Sequence, residues 1–151
     1  MSDNTEITRI ESGAALTVNG FADKITRHVS EEGYFATFST VDMAGRRKLF
    51  NATQSAKLLR EYMNTPLEVT DIVFAPTTIT DEEGFSNTVM GVYLIDADGS
   101  SYVSSSQGVC KSAATILSQL GNPVDWEGPL TVMCTETNTA RGRRYKSLTL
   151  C

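Results

Sequence analysis

Basic side chains, cysteine and histidine are scarce in this chain of 151 residues, and it has no long apolar run. The formal net charge of −5 argues against a protein that coats duplex nucleic acid non-specifically. Since no apolar run approaches the roughly 20 residues of a membrane-spanning helix, we expect no contact with a membrane. The polar and acidic residues 1–6 predict that there is no signal peptide.

The few cysteines and the single histidine argue against several kinds of site. Cys110, Cys134 and Cys151 are odd in number and widely spaced, which predicts neither a disulfide framework nor a metal site but a reducing compartment. We therefore expect a cytoplasmic protein, in the host cytoplasm if it is viral. Any Ser-His or Cys-His pair must use His28, which lies in a weakly patterned segment. We expect no enzyme activity, no metal and no cofactor.

The most informative feature of the sequence is a basic cluster near its end. Residues 140–146 hold four of the thirteen basic side chains, Arg141, Arg143, Arg144 and Lys146, between two segments that resemble strands. Cations crowded at a hairpin turn repel each other, so their presence in an acidic chain predicts an anionic partner. Tyr145 adds a ring that can stack on a base. The alternative is a solvated hairpin whose arginines serve solubility.

A second basic cluster, Arg46-Arg47-Lys48, directly precedes Phe50. We expect it to begin a strand, so that Arg46 and Lys48 point to the same side and contact phosphates. A solvated edge strand protected by charge is the alternative.

Residues 67–150 predict a mainly β fold with the element order β-β-β-α-β-β. The predicted strands cover residues 67–75, 85–95, 100–104, 129–137 and 143–150, and a helix capped by Ser106 covers 107–120. In the first strand, the alternation places Leu67, Val69 and Val73 on one face. This element order is that of the OB-fold, a five-stranded barrel that binds single strands. The basic cluster then lies in the loop between the fourth and fifth barrel strands.

The segment before the barrel is predicted to be an elaboration of a single domain that covers 1–151. Residues 1–30 are expected to form a partly ordered arm. Residues 31–66 are expected to form a β-hairpin, with strands at 34–41 and 46–50 around a turn at 42–45, followed by a short helix that begins at Asn51.

Two tyrosines of the central hairpin are candidate stacking residues. If Ile95 pairs with Ser100 across the turn at 96–99, Tyr93 lies opposite Tyr102 and both rings share one face. Bases would stack on that platform. The alternative is that both tyrosines belong to the barrel core. Phe85, Trp126 and Tyr145 are further candidates, although Trp126 beside Pro129 is more typical of a packed lid.

Several stretches of the sequence resemble the single-stranded DNA-binding proteins of small tailed phages that replicate by protein priming. They are residues 49–52 (Leu-Phe-Asn-Ala), the hairpin at 93–102, the helix around 112–114 and the C-terminal hairpin at 130–148. The resemblance covers roughly residues 46–150. It implies an OB-type binder that coats displaced strands during DNA replication, with exposed tyrosines at Tyr93 or Tyr102 and phosphate contacts from the basic turn. The first 45 residues depart from the pattern, and self-association through this N-terminal extension is one role for them.

The resulting hypothesis is a non-enzymatic, sequence-independent single-stranded DNA-binding protein of a bacteriophage. Phosphates would run from Arg46–Lys48 to Arg141–Lys146, with bases stacked on tyrosines between them. A second hypothesis is a protein-interaction module, such as a phage regulator, that acts through its acidic surface. It requires the acidic residues to lie on one face, namely Asp71, Asp81, Glu82, Glu83 and Asp96. A single-stranded RNA binder would use the same chemistry as the first.

Overall fold

The computed structural model describes residues 18–80, 82–138 and 140–151. Within these ranges the chain forms three α-helices and seven strands, with 3-10 turns at Leu59–Tyr62 and Pro123–Asp125. In chain order the elements are α1 (Val18–Glu32), β1 (Phe35–Ala36), α2 (Met43–Gln54), β2 (Lys57–Leu58), β3 (Leu67–Thr80), β4 (Ser86–Asp96), β5 (Ser101–Ser104), α3 (Gln107–Leu120), β6 (Leu130–Asn138) and β7 (Arg144–Leu150).

The strands form one curled sheet, a half-barrel, in the order β2-β5-β4-β3-β6-β7, with β1 attached to β3. β3 is central because its length lets it pair with two strands: residues 69–80 pair with β4, and residues 67–69 pair with β6. β6 and β7 form the C-terminal hairpin. Among the described residues no ladder joins β5 to β7, so the sheet stays open on that side.

A bulge in β3 decides which side chains face which side of the sheet. The register with β4 shifts between Val69 and Asp71, which inserts one extra residue into β3. Val69 and Phe74 therefore face the same core although they are five residues apart, and Val73 faces the opposite core. The prediction that Val73 shares a face with Val69 is wrong for this reason.

Both faces of the central strands are covered by helices or by the N-terminal segment. On one face, a large apolar cluster joins the sheet to α1 and α3 and includes Val92 and Leu94. On the other face a smaller cluster packs Tyr93 and Ile95 against Ala52 of α2. Because both faces are buried, β4 has an unbroken run of buried residues from 91 to 95 rather than an alternating pattern.

Helix α1 was not predicted from the sequence, which placed residues 1–30 in a partly ordered arm. Residues 18–30 of that segment belong to the helix, whereas residues 1–17 lie outside the described residues. Ile25 and Val29, one helical turn apart, are buried in the large core, and Phe21 packs beside them. Val18, Phe21, Ala22, Ile25 and Val29 follow a helical spacing, so the pattern that predicts this helix is present in the sequence and was missed.

The predicted N-terminal β-hairpin is wrong. Of the segment 34–41, only Phe35–Ala36 forms a strand, and it pairs with β3 rather than with residues 46–50. Asp42 caps α2 by accepting a hydrogen bond from the Gly45 backbone N–H at 2.9 Å, so the expected turn is the first turn of a helix. A Cβ on Gly45 would lie 1.9 Å from the Ser39 carbonyl oxygen, which shows that only glycine fits there.

The C-terminal elements agree more closely with the prediction. α3 spans the predicted residues, and the Ser106 Oγ accepts a hydrogen bond from the Val109 N–H. The element order β-β-β-α-β-β from β3 to β7 is confirmed. β3 is longer than predicted, however, because Pro76 pairs with Met90 and the β-branched residues that follow continue the ladder to Thr80.

Candidate nucleic-acid interface

The basic cluster lies at the turn between β6 and β7. The last pair of the ladder joins Asn138 to Arg144, and Gly142 adopts a φ of +79°, which glycine accepts at little cost. Arg141, Arg143 and Arg144 are exposed. The sequence from 138 to 146 contains no acidic residue, so the turn presents three arginines in a chain of net charge −5, whereas Lys146 lies opposite Glu136 in the β6–β7 register. The turn therefore forms a local positive surface that can attract phosphates.

Helix α3 fixes the position of this turn. A Cβ on Gly108 would lie 2.0 Å from the Lys146 carbonyl oxygen and 2.9 Å from the Tyr145 ring, so the first turn of α3 touches the β7 backbone directly. The Tyr145 side chain nevertheless keeps 41% of its surface exposed. One side of its ring packs on the helix, and Arg144 and Lys146 point to the opposite face of β7 because successive strand residues alternate. A ring held in this way loses little side-chain freedom when a base stacks on it.

The cluster Arg46-Arg47-Lys48 lies on α2, not on a strand. Residues two apart on a helix point in different directions, so the expectation that Arg46 and Lys48 share a side is wrong. The Lys48 Nζ lies 2.5 Å from the Asp71 Oδ2 and 4.5 Å from the centroid of the Phe38 ring. Asp71 is only 9% exposed and also accepts a hydrogen bond from Thr37. Lys48 therefore neutralises a buried carboxylate, which competes with any phosphate contact.

Arg46 and Arg47 remain on the outer side of α2. Together with Met43, Phe50 and Asn51 they line a shallow depression of about 370 Å³. The Arg46 Nε donates a hydrogen bond to the Thr40 carbonyl at 3.2 Å, which orients its guanidinium. Phe50 was not among the predicted binding residues because its segment was assigned to a strand. The helical spacing 43, 46, 47, 50 was the signal that identifies this surface.

The predicted platform of Tyr93 and Tyr102 is absent. Tyr93 pairs with Val103 and Tyr102 pairs with Leu94, so the two rings lie on opposite faces of the sheet. Both side chains are buried, with 5% and 6% of their surface exposed. The Tyr93 hydroxyl contacts the Thr77 hydroxyl at 2.8 Å. The alternative, in which both tyrosines belong to the core, is the one that the geometry supports.

Tyr102 takes part in a buried polar contact of its own. Its hydroxyl donates a hydrogen bond to the Asp96 Oδ2 at 3.2 Å, and its ring packs edge-on against Tyr62. Burial, followed by the charge of Asp96, raises the pKa of Tyr102 to about 12. Burial also raises the pKa of Asp96, whereas the side-chain hydrogen bond with Asp96 lowers the pKa of Asp98 to about 2. These groups stabilise the β4–β5 turn.

The other aromatic candidates differ in exposure and in surroundings. Trp126 donates a hydrogen bond from its Nε1 to the Gly121 carbonyl at 3.0 Å and packs against the large core, as expected of a lid. Phe85 is 67% exposed at the β3–β4 turn, beside Glu82 and Glu83. A negative surrounding repels phosphates, so Phe85 is the weaker candidate for a base contact.

The acidic residues do not form the single face that a regulator acting through acidic charge requires. Asp71 is buried and paired with Lys48. Glu82 and Glu83 precede the first residue of β4, and Asp96 is its last residue. At the usual rise per residue, Asp96 lies about 30 Å along the strand from Glu82 and Glu83. Asp81 lies outside the described residues.

The described residues contain no group of three or more His, Cys, Asp or Glu side chains arranged to hold a metal ion. His28 packs edge-on against the Phe35 ring. Burial raises the pKa of the Cys110 thiol to about 11 and also raises that of Cys134, so both thiols are poor nucleophiles at neutral pH. No helix in the described part of the chain is both long and apolar enough to cross a membrane.

An open half-barrel with a basic turn is an arrangement that can attract a polyanion. Comparison with family models identifies the family: the model described as "Phage Single-stranded DNA-binding protein" matches residues 28–151. The chain belongs to this family, which is a family of binding proteins. The predicted resemblance is thereby confirmed, although the match begins at residue 28 and so includes part of the segment that was expected to depart from the family pattern. Comparison with curated proteins and with solved structures gives no match.

Proposed function

We propose that this protein binds single-stranded DNA without regard to its sequence, and that it coats and protects the strands displaced during phage DNA replication. The observation that carries the proposal is the basic turn between β6 and β7, in a chain that belongs to the phage single-stranded DNA-binding family. Arg141, Arg143, Arg144 and Lys146 contact phosphates, and Tyr145 stacks on a base. No base-specific readout is involved, because stacking and phosphate contacts do not distinguish sequences.

We further propose that the fold is an open variant of the OB-fold. The support is the pairing of β3 with both β4 and β6, with α3 inserted between β5 and β6, which matches the order of that fold. In an OB-fold, the loops between strands one and two and between strands four and five flank the binding groove. Here these are the β3–β4 turn and the basic β6–β7 turn.

The burial of Tyr93 and Tyr102 changes the proposed path of the strand. Both tyrosines stabilise the cores instead of supplying a platform, so Tyr145 is the ring of this site on which a base stacks. Lys48 is not part of the proposed contact because it neutralises Asp71. The binding residues are thus fewer than the sequence predicted, and they are concentrated at the turn.

Titration of a fluorescently labelled oligo-dT at two salt concentrations tests this function, with a duplex of equal length as the control. We expect tight, single-strand-selective binding that weakens as salt rises. The slope of log K against log salt is about −0.7 for each phosphate neutralised, so it counts the contacts. Absence of binding even at low salt would overturn the proposal. Equal binding to duplex would overturn the single-strand assignment.

Three further properties belong to the proposal. The site of action is the host cytoplasm, and an oligo-U competitor in the same titration measures the preference for DNA over RNA. Self-association through the N-terminal extension stays a prediction. Sedimentation of the full chain over a range of concentrations tests it, and the same measurement without residues 1–17 shows whether the first part of the extension is responsible.

A further inference from the structure

Helix α2 has a solvent-facing side that the fold does not use. Its inner side packs Leu49 and Ala52 against the sheet, and Gly45 against the preceding loop. Its outer side carries Phe50 with 64% of the side chain exposed and Met43 with 57% exposed. Exposed apolar side chains mark contact surfaces when they are grouped into a patch rimmed by polar residues.

The groups around Phe50 are cationic. Arg46 and Arg47 lie one helical turn before it and line the same shallow depression, with Asn51 at its side. Within α2 and its cap the single acid is Asp42, whose Oδ1 accepts the capping hydrogen bond. The outer side of α2 is therefore a positive surface with a ring at its centre.

A ring next to two guanidinium groups fits one ligand chemistry particularly well. Single-stranded nucleic acid offers an unstacked base to the ring and flanking phosphates to the arginines. Duplex DNA keeps its bases stacked and offers only the phosphates. We infer that the outer side of α2 is a second single-strand contact surface, in which Phe50 stacks on a base and Arg46 and Arg47 contact the adjoining phosphates. This inference rests on the proposed function and adds a surface distinct from the β6–β7 turn.

The structure provides a matched control for Phe50. Phe85 is exposed to a similar extent, 67% against 64%, but its neighbours in sequence are Glu82 and Glu83. Stacking surfaces near phosphates need a positive surrounding, so the two phenylalanines should behave differently toward DNA although they are similar in size and exposure.

The test compares Phe50→Ala and Phe85→Ala in titrations with labelled oligo-dT. We expect Phe50→Ala to weaken binding by at least about five-fold, the lower end for one stacked base, with an unchanged salt slope. Phe85→Ala should bind within about two-fold of the unaltered protein, because its acidic surroundings keep phosphates away from the ring. Arg46→Ala with Arg47→Ala should make the salt slope shallower by about 1.4, since two phosphate contacts are lost. Phe50→Leu keeps apolar bulk without the ring, and it replaces the alanine variant if that variant fails to fold.

Photocrosslinking gives a readout that does not depend on affinity. The full chain is irradiated with an oligonucleotide that contains 5-iodouracil, and the crosslinked peptide is identified by mass spectrometry. Crosslinks in the peptide that contains Phe50 support the inference. Crosslinks confined to residues 141–146 contradict it.

The outcomes separate the two proposals. If the unaltered protein does not bind oligo-dT, the proposed function itself fails. If it binds and Phe50→Ala binds equally well, only the inference on α2 is overturned. A change in sedimentation mass for Phe50→Ala without a change in DNA affinity also overturns it, because Phe50 would then lie at a contact between copies of the chain.

Discussion

The β3–β4 turn and the β6–β7 turn have the same construction but opposite charge. Each carries a glycine of positive φ, Gly84 at +88° and Gly142 at +79°, and each is followed by an exposed aromatic residue, Phe85 or Tyr145. The first turn carries Glu82 and Glu83, and the second carries three arginines. The backbone of a hairpin turn therefore does not dictate its charge.

If both turns flank one groove, as in an OB-fold, the groove is electrostatically asymmetric. Phosphates are attracted to the β6–β7 side and repelled from the β3–β4 side. Such an arrangement confines the DNA backbone to one rim. The acidic residues outside that rim keep the protein soluble while DNA is bound.

The largest effect is expected from the basic turn itself. Arg143→Ala combined with Arg144→Ala should weaken binding to every single-stranded sequence by about 25-fold at 0.1 M salt, since each phosphate contact contributes about five-fold there. The salt slope should become shallower by about 1.4. Titrations with oligo-dT and with a mixed sequence measure both quantities. An unchanged affinity would remove the turn from the binding surface.

A smaller loss is expected from the ring in the same turn. Tyr145→Ala should weaken binding by about five-fold, at the lower end for a stacked base because the ring is only partly exposed. Tyr145→Phe should retain the affinity, since stacking does not use the hydroxyl. Thermal unfolding of both variants distinguishes loss of stacking from loss of packing against Gly108. Equal weakening in the two variants would show that the hydroxyl, rather than the ring, is involved.

Because Gly84 and Gly142 have similar positive φ angles, we expect an alanine at either position to lower the free energy of unfolding by the same amount. Gly142→Ala and Gly84→Ala should each destabilise the fold by about 1 kcal/mol, because an L-residue is strained at positive φ and open space surrounds both positions. Urea unfolding measures both. Only Gly142→Ala should also alter DNA affinity. A loss of affinity in Gly84→Ala as well would place the acidic turn in the contact.

The smallest effect is expected at the acidic turn. Glu82→Gln combined with Glu83→Gln should strengthen binding by less than about two-fold, because the exposed charges repel phosphates only weakly through salt water. The measurement is the same oligo-dT titration at low salt. A loss of affinity would contradict the assignment of opposite roles to the two turns.

Local turn chemistry explains why the second half of the chain could be predicted from sequence. Ser106 and Gly121 limit α3, and the turn between β4 and β5 is marked by Asp96 and Gly99. Each of these signals acts within a few residues, so the segment itself contains the information. The basic turn was predicted for the same reason.

The predictions that failed depended on register or on distant packing. The β4–β5 turn places Ile95 opposite Ser101 instead of Ser100, and this one-residue difference moves Tyr93 and Tyr102 to opposite faces. Residues 46–50 satisfy both strand and helix patterns over so short a length. The N-cap at Asp42 and the packing of Ala52 on the sheet favour a helix over a strand in this segment. The role of Lys48 depends on Asp71, which lies 23 residues later.

The burial of both faces of β3 has a consequence for how the molecule melts. Val69 and Phe74 contribute to one core and Val73 to the other, so this single strand supplies side chains to both hydrophobic cores. Loss of β3 from one core therefore also disrupts the other core. Calorimetry should therefore show one cooperative transition, and damage beneath α2 should lower the melting point of the whole domain.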